Sequence, residues 1–105
     1  MAQWIDTYDE PTKLGQIGFL VMIQDQNNMA ERWQLRDRPP YTNGSHEPRL
    51  EGWCGTTDNR AIYGRGMARI TRVARNGRAL VTPLTGQDLT DALEELGFPE
   101  LDPSV

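Results

Sequence analysis

The chain has 105 residues, of which 37% are apolar and 25% charged, and its net charge is −4. A length of this order predicts one domain able to bury roughly 65% of its unfolded surface, and the apolar share, though low, is not low enough to read as disordered. The single cysteine, Cys54, excludes an internal disulfide, and the longest apolar run, Phe19–Ile23, is too short to span a membrane.

Residues 1–13 read as an irregular N-terminal arm, stopped by Glu10-Pro11, with Trp4, Ile5 and Tyr8 folding back onto the body. Its first residues lack the basic and apolar regions of a secretion leader, which points to a cytoplasmic protein. The β body is expected over 14–84. Segment 14–24 carries Phe19, Val21 and Ile23 on one parity and Leu20 and Met22 on the other, the pattern of a central strand buried on both faces. After the turn cluster Asp25–Asn28, Trp33 and Leu35 alternate with Arg32, Gln34 and Arg36 and predict the second strand of a hairpin.

Residues 37–48 hold three prolines and an Asn-Gly pair. They predict a long loop that presents Tyr41 on a stiff scaffold, as binding loops do. Arg49–Cys54 reads as a strand anchored by Leu50 and Trp53. Arg60–Gly64 reads as another short strand, ended by a bend at Gly64-Arg65-Gly66. Ala68–Ala74 and Arg78–Leu84 then form a hairpin at Asn76-Gly77. A two-residue turn would set Arg75 against Arg78. A three-residue turn with Gly77 left-handed pairs Val73 with Ala79 and Thr71 with Val81, and it is preferred because it avoids opposing like charges.

Thr85 and Asp88 resemble a capping box opening a helix over 86–96. Leu89, Ala92, Leu93 and Leu96 form its apolar stripe, and Gly97 and Pro99 stop it. Six short strands and one terminal helix predict a mainly β fold: a small antiparallel barrel or sandwich, SH3-like or OB-like, with a C-terminal α-helix.

Charge is segregated. Residues 60–87 carry Arg60, Arg65, Arg69, Arg72, Arg75 and Arg78 and no acid, whereas residues 88–102 carry six acids and no base. Two explanations compete for the arginines. They pair with Asp88, Asp91, Glu94 and Glu95 of the helix, or they form a free basic ribbon. A free ribbon, with Tyr63 interleaved, would be a nucleic-acid-binding candidate, although the acidic pI of about 4.9 weighs against it.

Catalytic signatures are missing. Cys54 and His46 are the lone thiol and imidazole, with no third group to orient them. They are too few for a zinc site. The pairs Asp9-Glu10 and Glu94-Glu95 read as solvated carboxylates. Gly15-Gln16-Ile17-Gly18 and Gly64-Arg65-Gly66 lack phosphate-loop spacing, so no cofactor is expected. The first expectation is therefore a non-enzymatic interaction module, a small accessory factor of bacterial, phage or mobile-element type. Its contacts with a protein partner would be Tyr41, Trp53, Arg65, Glu94 and Glu95. An open edge strand would allow a homodimer. A nucleic-acid-binding barrel is the second expectation. A small-molecule barrel with a deep pocket at Trp33 or Trp53 is the third.

Overall fold

A computed structural model describes residues 3–6, 13–40 and 48–103. Its elements are β1 (Gln3–Ile5), β2 (Ile17–Asp25), β3 (Glu31–Arg36), β4 (Glu51–Thr57), β5 (Arg60–Val73), β6 (Ala79–Pro83), α1 (Gly86–Leu96) and a 3-10 turn (Pro99–Leu101). Every strand pairing is antiparallel, in the order β1-β6-β5-β2-β3, with β4 joined to the first half of β5. The five-stranded sheet curls into a half-barrel, and the Asp6 N–H donates to the Trp33 carbonyl at 3.0 Å, linking the β1 end of the sheet to β3. The mainly β barrel with one C-terminal helix is the architecture the strand pattern predicts.

Side chains alternate across the sheet and so build two cores. Ile5, Leu20, Ala68, Ile70, Ala79 and Val81 fill the inside of the curl, flanked by Trp33 and Leu35. On the outer face Phe19 and Met67 meet Ala92 and Leu93 of the helix, with Leu50, Leu84, Leu89 and Leu96 around them. β2 serves both, as its doubly apolar pattern requires. The helix occupies the expected 86–96, and its stripe is buried at Ala92 and Leu93. Gly97 closes it in the left-handed conformation (φ 88°). The Gly97 N–H bonds to the Glu94 carbonyl and the Phe98 N–H to that of Leu93.

Four expectations are corrected. The N-terminal arm is not irregular throughout, because Gln3–Ile5 adds a strand to the edge of β6 and buries Ile5 completely. Arg60–Gly64 and Ala68–Ala74 are not two strands but parts of the 14-residue β5. The expected bend at Gly64–Gly66 survives as a bulge inside it. Two residues there, Arg65 and Gly66, oppose the single Leu20 between Val21↔Gly64 and Phe19↔Met67. Gly64 is required at that point, since a Cβ would lie 2.7 Å from the Leu50 carbonyl oxygen. Thr85 does sit at the N-cap, but its side chain makes no capping bond. The hairpin register holds at Val73↔Ala79 with Gly77 left-handed (φ 87°), but Val81 pairs with Ile70, not Thr71. A second bulge at Thr71 absorbs the extra residue. It lets the Thr71 hydroxyl bond to the Leu80 carbonyl at 3.3 Å and keeps Ile70 in the core.

Candidate functional site

Residues directly opposite in an antiparallel pair share a face of the sheet. Met22 lies two residues from Leu20 and therefore on the inner side, where Trp33 opposes it from β3 and Tyr63 from β5. Trp53 opposes Tyr63 in turn. One row, Trp53–Tyr63–Met22–Trp33, thus crosses four strands. Met22 is buried, Trp33 and Tyr63 are half-buried, and Trp53 is 50% exposed. The expectation that Trp53 is a core anchor is corrected. β4 pairs only with β5 among the described residues, and half of the indole remains in water at the mouth of the curl.

The cation of this mouth is Arg65, whose guanidinium carbon lies 5.2 Å from the Tyr63 ring centroid. Such a contact favours the charge by about 0.5–1 kcal/mol at an exposed site. Arg65 opposes Glu51 across β4–β5. Arg49 donates to the Trp53 carbonyl at 3.4 Å, tying the loop before β4 to the rim. Trp53, Tyr63 and Arg65, singled out from sequence, therefore converge, and Met22 and Trp33 join them. Only the cross-strand register connects those last two residues to the mouth.

Glu94 and Glu95 are exposed on the helix, which packs against the outer face, so they do not share a surface with Trp53 and Arg65. Tyr41 and His46 lie outside the described residues, as do Tyr8, Asp9 and Glu10. Cys54 is fully buried, with its thiol 3.4 Å from the Gly52 carbonyl oxygen, which leaves it no access to a substrate. Among the described residues no group of His, Cys, Asp or Glu is arranged to hold a metal, and no helix is long and apolar enough to cross a membrane.

The arginines do not pair with the helix. Among the described residues Arg78 pairs with Asp6, at 3.4 Å and half-exposed, and no ion pair links Arg60, Arg65, Arg69, Arg72 or Arg75 to Asp88, Asp91, Glu94 or Glu95. They do not form one stripe either. Arg65 belongs to the mouth, Arg60 sits beside the turn at Asp58-Asn59, and Arg75 sits on the hairpin turn. Arg69 and Arg72 project from the outer face of β5. Leu80 points outward between the buried Ala79 and Val81, and Arg72 and Trp4 oppose it on either side, giving a second cross-strand row, Trp4–Leu80–Arg72.

An open cleft of about 170 Å³ lies at the hairpin end of that row, lined by Trp4, Ala74, Asn76 and Arg78. Sequence reasoning passed over Trp4 as a surface residue because a three-residue strand carries too little periodicity to show its facing.

No protein-family model, curated protein or solved structure matches the chain.

Proposed function

We propose that the chain is a non-catalytic binding module that receives a segment of a protein partner at the Trp53–Tyr63–Arg65 mouth. The observation that carries this reading is a half-exposed indole set on a paired strand beside a tyrosine ring that bears a guanidinium. Interface energy concentrates on tryptophan, tyrosine and arginine held in this way, because rigid rings lose little conformational entropy on contact. The chemistry of the mouth asks for an apolar or aromatic side chain to cover the Trp53 indole. A nearby carboxylate on the partner would reach Arg65. A small accessory factor that acts by covering another protein fits this description.

Selection from a library of random peptides displayed on phage, using the full chain as bait, tests the reading. Enrichment of peptides pairing an aromatic or proline with an acid is expected. Trp53→Ala should weaken a selected peptide by a factor of about 30, the scale of a strong interface anchor. Charge reversal by Arg65→Glu should remove the preference for acids. Failure to enrich any peptide, or enrichment indifferent to both substitutions, would reject the mouth as a binding site.

A further inference from the structure

We infer that the outer face of the β1–β6–β5 end is a platform for single-stranded nucleic acid, with Trp4 as the stacking surface and Arg69, Arg72 and Arg75 as phosphate contacts. This site lies on the other face of the sheet from the mouth and stands independently of it.

The inference begins with the Thr71 bulge. It sets Arg72 opposite Leu80 on the outer side, where Trp4 lies beyond Leu80 in the same row. Trp4 is 38% exposed beside the cleft formed with Ala74, Asn76 and Arg78. A planar base has both a ring to stack on and an opening to enter. Arg69 opposes Thr82 one row further along, and the Thr71 and Thr82 hydroxyls lie 3.4 Å apart between the two rows. The surface is therefore polar and cationic around one aromatic.

Arg72 and Arg75 have no ion-pair partner among the described residues. Arg69 donates to the Gly15 carbonyl, a neutral acceptor, and meets no carboxylate among the described residues. Among the described residues the acid beside this group is Asp6, which pairs with Arg78. The helix covers the outer face over Phe19 and Met67 but leaves Trp4, Arg69, Arg72 and Thr82 exposed. Uncompensated arginines complement a phosphate backbone. An exposed ring among them favours unstacked bases over a duplex, whose bases are not available for stacking.

Fluorescence anisotropy of a labelled oligothymidylate titrated with the full chain tests the inference. Saturable binding is expected. It should fall about 20- to 50-fold between roughly 50 and 200 mM salt if three to four phosphates are neutralised on a single strand. A duplex of the same length should bind more weakly. Trp4→Ala should cost about fivefold or more through lost stacking. Arg72→Glu, at an exposed position that does not support the core, should cost at least as much.

The absence of saturable binding at the lower salt would overturn the inference. So would a preference for duplex, or affinity untouched by both substitutions. Displacement of the oligonucleotide by poly-glutamate at equal charge concentration would overturn it too, and would reassign the platform to an acidic protein.

Discussion

The ring of Phe98 meets the ring of Phe19 edge-on, with 5.5 Å between centroids and 88° between planes. Phe98 follows the helix-ending Gly97, and Phe19 is fully buried on the outer side of β2. The contact therefore fastens the C-terminal end of the helix to the central strand. Phe98→Ala removes both the edge-to-face pair and part of the outer core. We expect a loss of about 2–3 kcal/mol, below the full cost of a buried phenylalanine because Phe98 is only half-buried. Urea unfolding followed by tryptophan fluorescence measures it, and an unchanged midpoint would show that the helix end is not fastened there.

Gly64 admits no side chain, because the nearest obstacle is the Leu50 backbone, which cannot swing away as a flexible side chain would. Gly64→Ala should destabilise by about 1–3 kcal/mol, the range for inserting a methyl into a filled space. Gly15→Ala meets nothing within 4 Å, so its cost is confined to its positive φ of 84°. It should be the milder of the two in the same denaturant series.

The two ends of the helix should respond differently. Thr85→Ala should change stability by less than about 0.5 kcal/mol, because the Thr85 side chain makes no capping bond to lose. Gly97→Ala forces an L-residue into the left-handed conformation and should cost about 1–2 kcal/mol. Paired thermal melts decide the matter, and a large Thr85 effect would contradict the cap geometry.

Cys54 should be silent to thiol reagents in the native state. Its side chain is fully buried, so labelling requires opening of β4. The rate of reaction with an aromatic disulfide should rise with urea along the unfolding curve. Rapid labelling without denaturant would show that β4 opens readily.

Self-association through β4 is disfavoured by its own backbone. Gly52 and Gly55 hold φ of 102° and 148°, and the pairing with β5 slips between Trp53 and Gly55. A strand interrupted in this way is a poor template for a second copy. Sedimentation equilibrium should find a monomer at micromolar concentration, and a dimer would place an interface elsewhere than on this edge.

Much of the fold was legible because local chemistry and tertiary packing agree. Asn76-Gly77 specifies a hairpin turn, and Leu89, Ala92, Leu93 and Leu96 specify a helix face. The central strand announces itself by being apolar on both parities. What stayed hidden depends on pairing between distant segments. β1 is three residues long and exists because β6 offers it an edge. The continuity of β5 depends on Leu20 facing two residues at once, which no window of sequence displays. The candidate sites divide in the same way. Trp53, Tyr63 and Arg65 are near neighbours in sequence and could be grouped on inspection. Trp4 joins Arg72 only through Leu80, because β1, at the far end of the chain, pairs with β6 of the hairpin.

β5 pairs with β2 along most of its length, with β4 over its first half and with β6 over its second. One continuous strand therefore connects the mouth to the hairpin tip, which couples the stability of the two ends. Amide hydrogens from Ile62 to Ile70 should be the last in the molecule to exchange with deuterium. A ligand that tightens one end will slow exchange at the other through that shared backbone, with no displacement of side chains needed.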